Sequence, residues 1–334
     1  MESLGDAARA LSDVTVDLAG HDANERAARF REVLGSTVHE AAIHAVAADD
    51  AFPEEQLREL AAAVSASAPA GVEDGLAPRV GVFVRLLRHG ALRPAWMLAE
   101  ENSAGQVAPS RASSTHAGPA RTGVRLPLVT VLEGGRVYAW LPGFRDPRWR
   151  VPDDVYDISE HVRLTVGLDE ARIRGGRLEL GGYAYLTQLA ARADDHVVVV
   201  LRTGDATELA IPAERRRRSD LVKGTGEELT RLAWAGWSAA VDLAPVLAAA
   251  GTWTVRIRFA RDGVERDAPL GIKRGPLSQQ ALLAVPHDIG RATLRLSAGK
   301  RGELTIRVRH LGAAARVLPR GLRAPARALL KGRR

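Results

Sequence analysis

The sequence predicts a mainly β protein, built on an immunoglobulin-like β-sandwich with an α-helical region at its N-terminus. In Thr252–Phe259 apolar residues alternate with polar ones, as expected of a strand with one buried face and one wet face. Several other short stretches repeat this alternation with turn-forming residues between them, which is typical of sandwiches and barrels. The helical patterns precede the strands and do not alternate with them, which argues against a doubly wound parallel sheet.

Residues 1–101 predict the helical region, because Ala, Leu, Glu and Arg dominate it and its breaks are short. Pro53, followed by two glutamates, is a good helix start, since proline fits the first turn and acids favour the helix dipole there. The predicted helices are Ala7–Leu18, Ala23–Leu34, Thr37–Ala48, Pro53–Val64, Val80–His89 and Ala91–Glu101.

Residues 102–121 predict a flexible linker, because Ser, Ala, Gly and Pro dominate and too little apolar surface is present to order the segment. Residues 122–310 predict the β region, as one or two small sandwiches with their core at about 155–275. Glu133–Arg136 holds a Gly-Gly hairpin turn, and Gly181-Gly182 predicts a bend or bulge within a strand. Residues 311–334 predict a separate basic tail.

Charge is unevenly distributed along the chain, whose formal net charge is +7. Residues 1–100 hold 9 Lys/Arg and 16 Asp/Glu, so the helical region is acidic and the remainder is strongly basic. Residues 311–334 carry seven basic residues and no acidic one. This asymmetry indicates an acidic module followed by a basic part that favours anionic partners.

Two absences in the sequence limit the classes of protein to consider. The 334 residues include no cysteine, which excludes disulfides, thiol catalysis and Cys-ligated zinc. No apolar run reaches the roughly 18 residues that a membrane span needs, and the first residues lack a signal-peptide core. We therefore expect a cytoplasmic protein.

No catalytic, cofactor-binding or metal-ligating set is predicted. His39 and His44 are five residues apart, whereas the zinc-protease signature places histidines four apart on one helix face. Gly224-Thr225-Gly226 lacks the strand-to-helix setting and the third glycine of a dinucleotide loop. Acidic pairs such as Asp153-Asp154 suit turns and caps, and no serine has a nucleophile-elbow context. We expect no cofactor.

Four aromatic residues are candidates for stacking against a sugar ring. In a chain with only 4% aromatic residues the same side chains also suit a core or an interface, and both interpretations stay open. Trp253 is assigned to the core, because its neighbours at period two are apolar. The candidate glycan-stacking residues are Trp234, Trp237, Tyr183 and Tyr185.

Two arginine-rich stretches are candidates for contact with an anion. The first lies between strands, where a solvated loop or a contact with a phosphate polymer, lipid headgroup or acidic partner would fit. The second is the tail, whose interleaved leucines suit a lipid surface or a disordered solubilising segment; without aromatic residues it disfavours nucleic acid. The candidate residues are Arg215, Arg216, Arg217, Arg218, Arg316, Arg320, Arg323, Arg327 and Lys331.

Val162–Leu186 and Trp234–Leu270 together resemble an accessory β-domain. A strand leading into Gly-Gly-Tyr-Ala-Tyr-Leu, then Trp-Ala-Gly-Trp-Ser and Gly-Thr-Trp-Thr-Val, is similar to such domains in actinobacterial family-2 glycosyltransferases and CDP-glycerol glycerophosphotransferases of the teichoic-acid type. The segment Leu86–Trp96 is similar to the helical part that follows the catalytic domain in those glycosyltransferases. The nucleotide-sugar domain with its Asp-x-Asp site has no counterpart in the sequence, so no catalytic residue carries over.

The resemblance implies a non-catalytic accessory or assembly module of cell-wall glycopolymer synthesis at the cytoplasmic membrane face. Self-association or a glycosyltransferase partner would follow from the same resemblance. A carbohydrate-binding β-sandwich module is the first alternative, and part of a glycosyltransferase whose catalytic domain is absent from this chain is the second. A small enzyme with an unrecognised site is the third.

Overall fold

The computed structural model describes residues 3–18, 20–48, 52–106, 128–204, 207–220, 232–248, 250–271, 279–284, 291–299 and 302–311. Contacts divide the chain into two units. The first, here the N-terminal unit, is Met1–Arg163 with Thr187–Leu189 and Asp262–Val264. The second, the C-terminal unit, is Leu164–Leu186, Ala190–Arg261 and Glu265–Arg334.

The N-terminal unit contains the six helices that the sequence predicts. Ser3 caps the first of them, because its hydroxyl accepts from the Asp6 backbone N–H while the Asp6 carboxylate accepts from the Ser3 N–H at 2.9 Å. The helices are α1 (Leu4–Asp17), α2 (Ala23–Val33), α3 (His39–Ala48), α4 (Glu54–Ser67), α5 (Pro78–Arg88) and α6 (Leu92–Gln106), with a π-helical turn at Leu34–Val38 and a 3₁₀ turn at Val72–Gly75.

Buried apolar residues of the helices form the core of this unit. In α1 the buried residues are Leu4, Ala7, Leu11 and Val14, which recur every three or four residues and so lie on one face. That face packs on α4, whose buried residues have the same spacing. Burial of one leucine stabilises the fold by about 1.5–3 kcal/mol.

The N-terminal unit also includes a β-hairpin, β1 (Thr130–Glu133) and β2 (Arg136–Ala139). Gly134 and Gly135 form its turn with φ of 57° and 77°, a left-handed conformation that favours glycine. This confirms the predicted Gly-Gly turn. Two 3₁₀ turns, at Asp153–Tyr156 and Ser159–His161, complete the unit.

The C-terminal unit contains two antiparallel sheets and one short helix. The four-stranded sheet has the order β3-β4-β8-β7, and the seven-stranded sheet has the order β11-β12-β13-β9-β5-β6, with β10 also paired to β9. The elements are β3 (Leu164–Arg174), β4 (Arg177–Leu186), β5 (His196–Arg202), β6 (Glu208–Pro212), β7 (Glu214–Arg216), β8 (Gly236–Asp242), α7 (Leu243–Ala248), β9 (Gly251–Arg261), β10 (Val264–Pro269), β11 (Gln279–Ala284), β12 (Arg291–Ala298) and β13 (Leu304–Leu311).

Strand β9 lies inside the seven-stranded sheet and has the alternating burial that its sequence predicts. Trp253, Val255, Ile257 and Phe259 are at most 1% exposed. The strand pairs with β5 along one edge and with β13 and β10 along the other. The two sheets contact each other through β4 with β9 and β6 with β8, so the apolar face of β9 lies between them.

The predicted irregularity at Gly181-Gly182 lies on the neighbouring strand instead. Strand β4 runs through both glycines, and the register shift falls in β3 between Leu168 and Glu170. A Cβ atom at Gly182 would lie 2.0 Å from the Gly167 carbonyl oxygen, so the partner strand approaches too closely for any side chain there. The glycine pair therefore accommodates the bulge of β3.

The fold class differs from the prediction in its proportions. Helix and strand account for about 39% and 35% of the described residues, so this part of the chain is mixed α and β. The six helices of the N-terminal unit raise the helical share above what the strand patterns suggested. The immunoglobulin-like topology stays a prediction, as do the boundaries at residues 102–121 and 311–334, most of which lie outside the described residues.

Candidate functional site

The outer face of the four-stranded sheet carries an open groove of about 700 Å³, which we call the sheet groove. Strands β3, β4, β7 and β8 all contribute to it, together with the segment that follows β7. Four carboxylates line the groove, from Asp169, Glu170, Glu179 and Glu214. Arg216, Arg217 and Arg218 provide three guanidinium groups on the same surface.

Small residues form the floor of the sheet groove. Ser238 of β8 pairs with Gly181 of β4 on one side and with Glu214 of β7 on the other. Directly opposite residues of antiparallel strands point to the same face, so these three share the groove side. Gly236 must remain a glycine, because an added Cβ atom would lie 2.6 Å from the Arg216 carbonyl oxygen.

The charged groups of the groove hold each other in place. The Arg216 Nε donates to the Ser238 hydroxyl at 2.5 Å, and its guanidinium lies 3.5 Å from the Glu214 carboxylate. The Arg218 Nε donates to Asp220 at 2.7 Å, and Asp169 accepts from the other side of the same guanidinium. The hydrogen bonds that Arg218 donates to Asp220 and Asp169 raise the pKa of its guanidinium. These groups are therefore fixed before any ligand arrives.

Arg215, the first residue of the predicted arginine run, lies inside the C-terminal unit. Its guanidinium is 5.9 Å from the Phe259 ring centre, 3.6 Å from the Asp195 carboxylate and 3.2 Å from the Ala184 carbonyl oxygen. Burial lowers its pKa to about 10. Alternation along β7 explains the split: Arg215 points inward, and Arg216 on the next position points outward.

Arg217 is exposed, and no carboxylate among the described residues lies within ion-pair distance of it. Within the described part of the chain, Arg217 is therefore the residue of the run Arg215–Arg218 whose guanidinium group is available to a ligand. The tail candidates Arg316, Arg320, Arg323, Arg327 and Lys331 lie outside the described residues.

The four aromatic candidates do not form one platform. Tyr183 and Tyr185 lie together on the groove face of β4, with ring centres 6.2 Å apart and a tilt of 32°. Trp237 is 1% exposed and lies opposite Gly182 and Arg215, on the inner face, so its ring offers no surface to a sugar. Trp234, in the turn before β8, is 37% exposed.

The two histidines that were compared with a zinc site both lie on α3 of the N-terminal unit. The His39 ring nitrogen lies 3.1 Å from the Asn102 side chain, and its ring meets the edge of Phe83. His44 is exposed on the same helix. Among the described residues no group of three His, Cys, Asp or Glu side chains could hold a metal ion. Within that same part of the chain, no helix has the length and apolar character needed to span a bilayer.

Comparison with known proteins finds similarity to solved structures but not to a family model or a curated protein. No protein-family model matches the chain, and no curated protein matches it. The chain is similar to the crystal structure of S. aureus TarS 217–571, with 8% identity and a TM-score of 0.49, over 93% of this chain and 77% of that one. A second S. aureus TarS crystal structure matches with 8% identity and a TM-score of 0.45, over 93% and 48% of the two chains. Similarity this low transfers no residue or activity.

The sequence patterns did not indicate that carboxylates line the sheet groove. Glu170 and Glu179 come from one hairpin, β3 and β4, but Glu214 comes from β7, and only the strand order brings all three to one surface. The available signal was the run of small residues in β8, Ser238 to Ala240, which is unusual on the outer face of a strand. It predicts a floor that leaves room above the sheet.

Proposed function

We propose that this chain is a non-catalytic module of cell-wall glycopolymer synthesis and that the sheet groove holds the polymer. The observation that carries the proposal is the groove itself, an open channel with a flat floor and fixed polar walls. An open groove suits a chain that continues beyond the site at both ends, whereas a small molecule is usually enclosed.

The walls of the groove suit the hydroxyl groups of sugars. Carboxylates accept hydrogen bonds and guanidinium groups donate them, so the pair of Glu214 and Arg216 offers both roles to neighbouring hydroxyls. Since Arg216 and Arg218 are already oriented by their partners, little side-chain entropy is lost when a ligand binds.

Binding fits these residues better than catalysis does. Ser238 is the hydroxyl-bearing side chain of the groove, and its oxygen accepts from Arg216, a group that cannot act as a base. Neither histidine nor lysine lines the groove in the described part of the chain. The candidate bases among the described residues are therefore the four carboxylates, and arginines already pair with three of them, Asp169, Glu170 and Glu214, which favours a role in holding the polymer.

The setting at the membrane comes from the sequence. The resemblance to accessory regions of teichoic-acid-type enzymes supports a glycosyltransferase partner or self-association, and the basic tail supports peripheral contact with the inner membrane face. A carbohydrate-binding module is the second candidate, and it is favoured by the half-buried Tyr185 on the groove face, which lies against the buried Tyr183. If the chain is a piece of a longer protein, the same groove would serve its glycosyltransferase.

The test introduces a tryptophan into the groove and compares it with the same substitution at an exposed position of the other sheet. Ala240 is exposed in the groove, and Ala210 is exposed on β6 of the other sheet. We expect A240W to weaken binding of purified wall teichoic acid by at least about tenfold, which corresponds to about 1.4 kcal/mol, and A210W to leave it unchanged. Titration calorimetry measures both. Equal affinity for the two folded variants would remove the groove from the proposal.

A further inference from the structure

Two exposed arginines lie directly opposite each other on the seven-stranded sheet. In the pairing of β12 with β13, Arg295 faces Arg307. Arg309 lies two residues further along β13, on the same face and opposite Thr293. All three side chains are exposed. We call Arg295, Arg307 and Arg309 the arginine triangle.

The arginine triangle is unusual because like charges directly opposite each other destabilise an antiparallel pair. Cβ atoms of such residues are only about 4.5–5.5 Å apart, so the two guanidinium groups repel unless something lies between them. Among the described residues no carboxylate forms an ion pair with any of the three. In the part of the chain that the structure describes, no carboxylate therefore offsets the repulsion between these guanidinium groups.

Three other arginines on the same sheet face have carboxylate partners. Thr254 of β9 lies opposite Arg202 of β5 and also opposite Thr305 of β13. Thr305, Arg307 and Arg309 are two residues apart along β13, so they point to the same face. Arg202 and the triangle therefore share one face of the sheet. Arg202 and Arg258 both bind the Glu208 carboxylate, at 2.6 and 3.0 Å, and Arg256 pairs with Asp267. Since Arg202, Arg256 and Arg258 have carboxylate partners and the triangle has none among the described residues, the triangle indicates a site for an external anion.

Hydroxyl groups surround the triangle. Thr252 of β9 lies opposite Arg307 and is exposed, and Thr293 of β12 lies opposite Arg309. Ser297 and Thr305 lie on the same face with their oxygens 2.9 Å apart. A surface that alternates guanidinium and hydroxyl groups matches a ligand that alternates phosphates and hydroxyls.

We infer that the arginine triangle binds the phosphate groups of a phosphodiester-linked polyol chain. One phosphate between Arg295 and Arg307 accepts from both guanidinium groups and removes their repulsion. Arg309 lies about 7 Å along the strand from Arg307, which lets it take the next phosphate of the same chain. This surface is separate from the sheet groove, and the choice of a polyol phosphate as its ligand rests on the proposed function.

A polyol phosphate fits better than nucleic acid or a bilayer. The described residues around the triangle include no exposed aromatic ring on which a base could stack. They are hydroxylated and not apolar, so none would insert into lipid. The ligand is recognised through phosphate and hydroxyl groups alone.

The test uses a sugar-free glycerol-phosphate oligomer with the full-length protein and measures affinity by fluorescence anisotropy. The triangle variant is R295Q/R307Q/R309Q. The charge-matched control is R26Q/R29Q/R58Q, which removes three exposed arginines from the helices of the N-terminal unit. Both variants keep the basic residues of 311–334, so a difference between them comes from the triangle.

We expect the triangle variant to lose at least about tenfold in affinity and to show a weaker salt dependence between about 50 and 200 mM, because phosphate contacts release counterions. The control variant should stay within about twofold of the wild type. Equal affinities of the two variants would overturn the inference. So would tighter binding through the triangle to a single-stranded oligonucleotide or to phosphatidylglycerol vesicles. Because this oligomer carries no sugar, and A240W should bind it normally, failure here leaves the groove proposal to its own test.

Discussion

Arg261 holds Asp195 through two hydrogen bonds in the interior of the C-terminal unit. The guanidinium Nε donates to one carboxylate oxygen and Nη2 donates to the other at 2.6 Å, while the side chains are 6% and 0% exposed. Arg215 approaches the same carboxylate at 3.6 Å, and both guanidinium groups lie 5.9 Å from the Phe259 ring centre. One carboxylate thus joins β9, β7 and the segment before β5.

Replacing this carboxylate should strongly destabilise the C-terminal unit. D195N leaves two buried guanidinium groups without their anion, and breaking a buried ion pair in this way costs about 3–5 kcal/mol. The neighbouring Asp194 is exposed, so D194N should change the free energy of unfolding by less than about 0.5 kcal/mol. Urea unfolding compares the two. A D195N protein as stable as D194N would show that the interior ion pair contributes little.

Adjacent glycines in β4 should respond differently to the same substitution. The added Cβ of G182A would meet the Gly167 carbonyl oxygen at 2.0 Å, and the resulting strain should cost about 2–3 kcal/mol. The added Cβ of G181A has its nearest neighbour at 3.7 Å, an ordinary contact, so that variant should unfold near the wild-type temperature. Thermal unfolding of both tests whether the bulge of β3 lies where the structure places it; equal melting temperatures would contradict it.

Stability of the N-terminal unit should fall below neutral pH through His161. Burial, and then the nearby Arg85, lower the pKa of this ring below its ordinary 6.5. As pH falls below 6.5, the unfolded chain takes up a proton that the folded state resists, so stability is lost. Urea unfolding followed by helix circular dichroism at about pH 7.5 and about pH 5.5 measures the loss.

The control for this pH effect compares two histidine variants. H161Q should lose less stability than the wild type on acidification, whereas H44Q, at an exposed position, should lose as much as the wild type. If H161Q and the wild type have the same pH dependence, another group is responsible.

Removing one arginine of the triangle should stabilise the protein while weakening its binding. R307Q removes the like-charge pair with Arg295 and should raise the free energy of unfolding by about 0.2–1 kcal/mol in the absence of ligand. R202Q removes an ion pair with Glu208 and should not stabilise. A gain in stability with a loss of affinity is typical of a binding site; R307Q that destabilises the protein would indicate a structural role.

Local patterns predicted the elements well, because helices and single strands depend on near neighbours in sequence. Alternation in β9 and the Gly-Gly turn of the first hairpin both appear as expected. Pairing between distant strands was not predictable, and that pairing places Ser238 of β8 beside β4 in the groove floor. The arginine triangle lies within one hairpin, β12 and β13, but the register that puts Arg295 opposite Arg307 was not predicted.

The arginine run shows the same limit at one position. Its four residues look equivalent in sequence, yet Arg215 is inside and Arg216 is outside. The difference depends on the phase of β7 against β8 and on Asp195, which a distant segment provides. Composition predicts that such arginines prefer an anion, and tertiary structure decides whether that anion belongs to the protein.

The most direct test of the central claim incubates the full-length protein with purified wall teichoic acid and nucleotide-sugar donors, then measures both binding and the mass of the recovered polymer. We expect saturable binding that A240W weakens, with the polymer recovered at unchanged mass. Absence of binding, or a polymer that has gained or lost sugar, would contradict a non-catalytic module that holds the polymer in the sheet groove.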